Sequence, residues 1–253
     1  MIRKLWLKWL YRDFTGVVDV GGRSFIVDLQ DSLRIHRNGT YAPGSLRFLL
    51  EQVSPDDVVV DVGAAWGWFT VHLARVAKHV FAYEPDVELW SKCMANIESN
   101  SITNVSVFFK AVLPVSLGHT TLLYRDPDNQ TGGRMFAGGS RKAYMRVPVG
   151  DLNQICKIDV LKIDAGGMDY AILRSLDKWP RVVLCEWNEA AHEEYGAGGV
   201  DGFTGLGSYY HLLKSKGKVY QVVDYPPTLR LLNDYPDSES CDLLVIREDK
   251  EDA

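Results

Sequence analysis

A strand, a glycine turn and a predicted helix follow one another near the middle of the first half of the chain. Val58–Val60 is a continuous run of β-branched residues, which indicates a strand buried on both faces. Asp61 follows, and residues 63–67 read GAAWG where a helix is predicted to begin. Glycine at 63 and 67 lets a backbone approach a ligand closely, and a helix N-terminus offers N–H groups to an anion. This segment therefore has the pattern of a nucleoside-binding turn.

An acidic residue at the end of the next predicted strand extends this pattern. Glu84 follows Val80–Tyr83, where a carboxylate can accept hydrogen bonds from two ribose hydroxyls. The G-x-x-x-G spacing differs from the G-x-G-x-x-G of NAD enzymes, and the sequence contains no P-loop motif. Asp61 would repel a pyrophosphate but suits a ligand that carries an ammonium group. S-adenosylmethionine has such an ammonium, together with a carboxylate.

Three residues further along the chain are candidates for catalysis. Asp164 follows the predicted strand Val160–Ile163, where doubly wound sheets place their ligands, or it caps the next helix. Glu186 ends the following strand and either faces the same crevice or is a surface loop acid. His192 is either a general base or an exposed helix histidine. A carboxylate in the crevice could orient or deprotonate a substrate hydroxyl.

The elements that would position these residues alternate between strands and helices, which predicts one α/β domain with a parallel sheet. The 253 residues, of which 46% are hydrophobic and 24% charged, can bury one sizeable core. The net charge of −5 argues against a sequence-independent nucleic-acid binder. Four scattered cysteines and six histidines show no metal-ligand spacing, so no metal site is predicted, and a metal requirement stays open.

Residues 1–38 are predicted to form an N-terminal helix and a β-hairpin, and residues 39–253 the main domain. Met1–Arg12 has apolar residues at helical spacing and lysines and an arginine on another face. It packs on the domain or on a second subunit, or it lies on an anionic membrane surface. The chain is expected in the cytoplasm, with membrane association if this helix binds lipid. A homo-oligomer is an open alternative.

The ordered set of motifs resembles the FkbM-type methyltransferases, a family of S-adenosylmethionine-dependent O-methyltransferases. The similarity runs from Gly39-Thr40-Tyr41 to Glu186 and includes DVGA at 61–64, EP at 84–85 and LKID at 161–164. It implies a Rossmann-like class I methyltransferase fold whose mostly parallel sheet has seven strands, the last antiparallel, and helices on both faces. S-adenosylhomocysteine would be the product. The predicted cofactor-binding residues are Asp61, Gly63, Ala64, Trp66, Gly67, Glu84, Pro85 and Asp164.

The chain departs from the family pattern at three positions. Ala65 stands where the family commonly has asparagine, and Ala42 where it commonly has an acidic residue. Gly166 replaces the first glutamate of a Lys-Ile-Asp-Val-Glu-Gly stretch. These departures leave a catalytically impaired cofactor-binding or scaffold relative as one alternative function.

The main functional prediction is methyl transfer to a hydroxyl of a glycan, a lipid-linked sugar or a natural product. A nucleic-acid methyltransferase on the same fold is a second alternative, although no nucleic-acid partner is expected. Tyr41, Trp66, Trp68 and Trp187 line an acceptor pocket or belong to the core. Acceptor specificity is expected in two loops, Asp126–Arg141 and Gly196–Gly207, and Arg134 and Arg141 are candidates to meet an acidic acceptor.

Overall fold

The computed structural model describes residues 17–27, 35, 37–126, 129–134, 142–190 and 205–247. Three predictions lie outside these residues: the N-terminal helix over Met1–Arg12, the general-base role of His192, and most of the loop Gly196–Gly207. Arg141 lies outside them too, and only the backbone of Arg134 is described.

The described residues form five α-helices and fourteen strands. The helices are α1 (Pro43–Leu50), α2 (Trp68–Leu73), α3 (Val87–Ser99), α4 (Asp169–Arg174) and α5 (Leu206–Lys214). The strands are β1 (Val17–Val20), β2 (Arg23–Ile26), β3 (Val58–Val62), β4 (His79–Tyr83), β5 (Val105–Phe108), β6 (Ala111–Val112), β7 (Thr120–Asp126), β8 (Asn129–Arg134), β9 (Lys142–Gly150), β10 (Val160–Ile163), β11 (Val182–Asn188), β12 (Lys218–Asp224), β13 (Pro227–Leu231) and β14 (Ser240–Ile246).

The main sheet has the strand order β13-β12-β14-β11-β10-β3-β4-β5. Strands β11, β10, β3, β4 and β5 are parallel, and β14 runs antiparallel between β11 and β12. The predicted Rossmann-like α/β fold with an antiparallel last strand is confirmed. The sheet has eight strands rather than seven, because β13 pairs with β12 and extends the edge. The chain reverses its direction of travel across the sheet between β3 and β10, which makes their carboxyl ends the switch point.

Each face of this sheet carries its own hydrophobic core, which explains the uninterrupted apolar runs of the central strands. Val59 packs in a cluster with residues of α1, α2 and α3, such as Leu49, Leu73 and Ile97. Its neighbour Val60 packs in the opposite cluster, which includes residues of α4 and α5. Successive side chains of a strand point to opposite faces, so a strand covered on both faces is apolar along most of its length. The buried exceptions, Asp61 in β3 and Lys162 in β10, pair with each other.

A second, four-stranded sheet has the order β6-β9-β7-β8. The sequence predicts a long loop over Asp126–Arg141, but Asn129–Arg134 forms β8 and pairs antiparallel with β7. This prediction is wrong because β8 is an edge strand, which is held by backbone pairing on one side. An edge strand does not need the alternation of apolar residues on which the sequence-based prediction relied.

The predicted N-terminal hairpin is confirmed, since β1 pairs antiparallel with β2. Asn96 of α3 and Asn100, which caps the end of that helix, hold the hairpin on the domain. The fully buried Asn96 amide accepts a hydrogen bond from Ile26 N at 2.6 Å. It donates to Ile26 O at 3.0 Å and to Trp66 O at 2.7 Å. Asn100 donates to Ser24 O at 2.8 Å. Asn96 thereby joins the hairpin, α3 and the glycine turn.

Substituting Asn96→Ala is expected to lower the free energy of unfolding by about 3 kcal/mol. Three hydrogen bonds are lost, each worth about 1 kcal/mol net, and the partners left behind are buried. Urea denaturation measures the change, and Glu98→Ala, at an exposed position of the same helix, is the control expected within about 0.5 kcal/mol of wild type. An Asn96→Ala variant as stable as the control would show that the hairpin does not depend on this amide.

Candidate active site

The glycine turn after β3 is shaped by contacts within the protein. Gly63 has φ +72°, and a Cβ added there would lie 1.9 Å from the carbonyl oxygen of Asp164. Gly67 has φ +88°, and a Cβ there would lie 2.9 Å from Cys93 Sγ. The sequence explains these glycines by the approach of a ligand. The structure supplies a further reason, because the ends of β3 and β10 touch through their backbones at the switch point.

Four N–H groups of this turn already have acceptors in the protein. Gly63 N and Ala64 N donate to Tyr83 O at 2.9 and 3.0 Å, and Gly67 N donates to Ala64 O at 2.8 Å. Ala65 N donates to Glu84 Oε2 at 2.8 Å. Helix α2, which follows, has only six residues. In this conformation these four N–H groups donate to oxygens of the protein itself, so an anion would have to bind to other donors.

Glu84 connects the turn to the start of α3. Besides the bond from Ala65, its Oε1 accepts from Asp86 N at 2.8 Å, while Pro85 lies half-buried between them. Each carboxylate oxygen retains a second acceptor position after these bonds. Glu84 is 5% exposed, and this burial raises its pKa to about 7 against the lowering effect of the two backbone hydrogen bonds.

Asp61 is fully buried and forms an ion pair with Lys162. Lys162 Nζ lies 3.3 Å from Asp61 Oδ1, without hydrogen-bond geometry, and donates to Gly63 O at 2.8 Å. Asp61 Oδ2 accepts from Thr70 Oγ1 at 2.6 Å. Burial would lower the pKa of Lys162, but Asp61 and Asp164 oppose it and the net shift is upward. The ammonium group that faces Asp61 therefore belongs to the protein itself.

A cleft of about 320 Å³ opens at the carboxyl ends of β10, β11 and β12. Its charged lining consists of one lysine, already paired, and four carboxylates. Three aromatic side chains also line it, as do residues of the segment before α1. The residues that matter for its chemistry are Asp164, Glu186, Asp224, Asp242, Lys162, Tyr41, Phe69 and Tyr225.

The four carboxylates differ in how they are held. Asp164 is exposed, and α4 begins without a side-chain cap, so the capping alternative for Asp164 is wrong. Glu186 is half-buried within β11 and accepts from Asn188 Nδ2 at 3.1 Å, so it is not a loop acid. Asp224 Oδ1 accepts from Gly44 N at 2.8 Å. Asp242 accepts a hydrogen bond from the Ser45 hydroxyl.

Burial and mutual repulsion raise the pKa values of two of these acids and of Asp169, which begins α4. Burial is the main cause at Glu186, and the charges of Asp164 and Asp169 add to it, which raises its pKa to about 8. Burial, then Asp164, raises the pKa of Asp169 to about 7. Burial raises the pKa of Asp242 to about 6, although its bond from Ser45 lowers it. Carboxyl groups with such values can exchange protons near neutral pH.

These shifts predict that stability falls as the pH rises from about 6.5 to 8. The folded state keeps protons on Glu186, Asp169 and Glu84 in this range, whereas the unfolded chain has released them, so proton release opposes folding. The buried His72, whose pKa is lowered to about 4 mainly by burial, has the opposite effect, but only below about pH 6.5.

We expect a loss of about 2 kcal/mol across this interval, since one pKa unit corresponds to about 1.4 kcal/mol. Urea denaturation at several pH values measures it. Glu186→Gln should flatten the dependence, while Glu98→Gln, at an exposed position of α3, should leave it unchanged. A free energy of unfolding that rises with pH over this range would contradict the assignment.

The structure distributes the predicted site residues over a cleft, an adjoining turn and a hydrophobic core. Asp164 and Glu186 meet in the cleft, and Gly63, Ala64, Gly67 and Glu84 form the adjoining turn. Trp66 is 2% exposed and packs against Phe25 at a ring distance of 5.5 Å, so it belongs to a core. Of the predicted pocket aromatics, Tyr41 lines the cleft, whereas Trp66, Trp68 and Trp187 are buried in the two cores.

Two acids of the cleft were not among the predicted site residues. Asp224 ends β12, and Asp242 lies near the start of the antiparallel β14, directly opposite Glu186. Both flank strands that the sequence predicts, at Val219–Val223 and Leu243–Ile246. An antiparallel strand begins at the edge where its parallel neighbours end. Once the direction of β14 is known, an acid at its start is expected in the crevice.

The three departures from the family pattern lie at strained or glycine-bearing turns. Ala42 and Ala65 have φ of 42° and 49°, a left-handed conformation that asparagine tolerates better than alanine. The N-terminus of α1, which starts after Ala42, is capped by Asp224. Its Oδ1 accepts a hydrogen bond from Ser45 N at 3.2 Å in addition to the one from Gly44 N. Gly166 has φ 59°. An acid from a distant strand thus takes the capping position next to Ala42.

Within the described residues, no group of three or more histidine, cysteine, aspartate or glutamate side chains is arranged to hold a metal ion. No helix in this part of the chain has the length and apolar character needed to span a bilayer.

No protein-family model and no curated protein matches the chain, so the resemblance to the FkbM-type family stays a prediction. Solved structures that resemble it include SMU.1697c from Streptococcus mutans in complex with SAH, with 14% identity, coverage of 81% of this chain and 96% of that one, and a TM-score of 0.47. An rRNA methylase from Streptococcus thermophilus has 13% identity, coverage of 80% and 93%, and a TM-score of 0.43. A precorrin-6y C5,15-methyltransferase from Geobacter metallireducens has 13% identity, coverage of 80% and 87%, and a TM-score of 0.43. At these identities and TM-scores the likenesses carry no argument about activity.

Proposed function

We propose that the chain is an S-adenosylmethionine-dependent methyltransferase that acts on a hydroxyl group. The observation that carries the proposal is the cleft at the switch point, which is lined by carboxylates and aromatic rings and is joined to the glycine turn by the hydrogen bond from Lys162 Nζ to Gly63 O. S-adenosylmethionine carries a sulfonium and an ammonium, and both carboxylates and aromatic faces attract cations. Glu84 retains an acceptor position on each oxygen for ribose hydroxyls. The residues present therefore fit this cofactor.

Each part of the site would hold a different part of the cofactor. Glu84 would bind the ribose, and Asp164, the exposed acid of the cleft, would face the cationic end. Tyr41 and Phe69 would cover it with their rings. Asp61 acts indirectly, because its charge is matched by Lys162 and it holds the end of β3 through Thr70. When bound, S-adenosylmethionine supplies a methyl group that its sulfonium already activates.

The remaining chemistry is the removal of a proton from the acceptor hydroxyl. Glu186 is placed for this role in the cleft. Its pKa of about 8 leaves it mostly protonated at neutral pH, and only the ionised fraction, which grows as the pH rises, takes the proton. Asp164 orients the acceptor and, through its charge, helps to hold that pKa high. Glu186→Gln should lower turnover by about 100-fold without changing cofactor affinity to the same degree.

A nucleic-acid acceptor is less compatible with the distribution of charge. The cleft carries an excess of carboxylates, which repel a phosphate backbone. Basic residues gather at the opposite, amino edge of the sheet, where Lys178, Lys216 and Arg247 surround Trp179. A seven-residue strand such as β11 separates the two edges by roughly 20 Å. RNA held at the basic edge would lie far from the cleft.

We propose membership of the FkbM-type family, a cytoplasmic location, and a lipid-binding role for Met1–Arg12. Flotation with anionic vesicles tests the last of these, and deletion of residues 1–12 should abolish it. Unchanged flotation of the deletion variant would refute the lipid-binding role.

Calorimetric titration of S-adenosylmethionine and S-adenosylhomocysteine tests the main proposal. Wild type should bind both compounds, and Glu84→Ala should bind them at least about 10-fold more weakly. Asp164→Asn, at an exposed position, serves as a second variant if Glu84→Ala fails to fold. Glu98→Ala is the control on the exposed side of α3. Absence of binding to folded wild type would overturn the proposal and favour the impaired scaffold alternative.

A further inference from the structure

A basic groove lies at the amino edge of the main sheet, next to the point where β14 ends. The cavity has a volume of about 660 Å³ and shares Trp179 and Arg247 with a neighbouring cavity. Four of the described residues that line it are cationic, and none of them is acidic. These cations are Lys214, Lys216, Lys218 and Arg247. We call this cavity the basic groove, and its charge is opposite in sign to the net charge of −5 of the whole chain.

Three cations of the basic groove contact neutral groups. Lys214 Nζ donates a hydrogen bond to Leu232 O at 3.0 Å, and Arg247 Nη1 donates to Trp179 O at 3.0 Å. Lys216 Nζ lies 5.4 Å from the centre of the Trp179 ring, which is within the range of cation–π attraction. These contacts hold the three side chains at the groove without neutralising their charges, so the groove attracts an anion.

The strand register brings the chain back to this groove at the end of β14. Ile246, the last residue of β14, pairs with Lys218 at the start of β12 and with Val182 at the start of β11. A Cβ added to Gly217 would lie 2.2 Å from Ile246 O, so the backbone of the groove touches the end of β14. Arg247 follows and lines the groove itself. The residues after Arg247 therefore continue from a position within the groove.

Residues 248–253, which lie outside the described residues, have the complementary charge. Their sequence, EDKEDA, contains four acids and one lysine. Six residues can span roughly 20 Å when they are extended, which exceeds the width of a cavity of this volume. Because this segment is attached to a residue that lines the groove, its effective concentration there is on the order of millimolar. Ion pairs that are weak one by one can hold such a segment when several of them form together.

We propose that the basic groove is the docking surface for residues 248–253. The carboxylates of this segment would pair with Lys214 and Lys216, and a docked segment would exclude other polyanions from the groove. The inference is independent of the proposed methyl transfer, because the basic groove and the cleft lie at opposite edges of the sheet.

NMR spectroscopy of the full ¹⁵N-labelled chain tests the docking. The amide signals of residues 248–253 are compared with those of an N-acetylated peptide that has the same six-residue sequence. In wild type at low salt the two sets of signals should differ. Lys214→Glu combined with Lys216→Glu should move the signals of the chain to the peptide positions. Sodium chloride at about 0.5 M should have the same effect on wild type, because salt screens exposed charges.

A charge-matched variant and a folding check complete the experiment. Lys78→Glu combined with Lys92→Glu changes the same amount of charge, but Lys78 precedes β4 and Lys92 lies in α3, so the signals should stay at their wild-type positions. Thermal unfolding establishes that the groove variant is folded. If it is not, Glu251→Lys combined with Asp252→Lys reverses charges of the segment instead, and the signals should coincide with those of a peptide that carries the same substitutions.

Two outcomes would overturn the inference. The first is a wild-type chain whose signals for residues 248–253 already coincide with those of the peptide at low salt. The second is a folded groove variant whose signals for these residues stay at the wild-type positions. In either case, binding of an oligothymidylate to wild type but not to the groove variant would assign the groove to a nucleic acid instead.

Discussion

Lys162→Met is expected to lower the free energy of unfolding by about 3–5 kcal/mol, because it leaves the charge of Asp61 buried without a partner. Both side chains lie inside the protein, with relative exposures of 8% and 0%. The substitution also removes the hydrogen bond from Nζ to Gly63 O, which supports the glycine turn. Urea denaturation at a fixed pH measures the change.

A double-variant cycle separates the ion pair from the other contacts of Lys162. Asp61→Leu combined with Lys162→Met should lose about 2 kcal/mol less than the sum of the two single losses. Lys178→Met, at an exposed lysine, is the matched control and should change stability by less than about 0.5 kcal/mol. Additive losses in the double variant would show that the two side chains are not energetically coupled.

Gly63→Ala is the second large effect, with an expected loss of about 4 kcal/mol or complete failure to fold. The added Cβ would lie 1.9 Å from the carbonyl oxygen of Asp164, and a backbone oxygen cannot move away as the end of a side chain can. The left-handed φ of +72° adds about 1–2 kcal/mol for any residue with a Cβ. Either β3 or β10 must shift, which disturbs the switch point.

Gly22→Ala is the matched control for the backbone part of this effect. Gly22 has nearly the same φ, +74°, but a Cβ there would meet no atom within 4 Å. Its loss in urea denaturation measures the conformational cost alone, and the difference between the two variants gives the cost of the contact. If both alanine variants were equally stable, the contact with Asp164 would not be what requires glycine at 63.

The local elements of the site could be predicted from the sequence because their signals lie within a few residues. Val58–Val60 is β-branched at every position, and it forms the strand β3 between two cores. The glycines at 63 and 67 and the acid at 84 fall where the strands end, as the spacing indicated. The alternation of strands with helices in the main sheet and the hairpin at Val17–Ile26 could also be predicted from the sequence.

The partners of those residues could not be predicted, because they come from distant parts of the chain. Asp61 meets Lys162, about a hundred positions away, and the Cβ space of Gly63 is filled by Asp164. Asp224 caps α1 from the opposite end of the sequence. Such contacts depend on the order and direction of the strands in the sheet. Local sequence patterns, which cover a few neighbouring residues, do not specify either of these.

The strands, the turn and the candidate acids follow from the amino-acid sequence, whereas the tertiary fold selects which of these acids share a cleft. Asp242 joins Glu186 only because β14 runs antiparallel to β11, and Trp66 is removed from the site because its ring packs against Phe25. The physical reason is that local conformation follows from steric preferences of adjacent residues, whereas burial, charge pairing and pKa follow from what the completed fold places around each group.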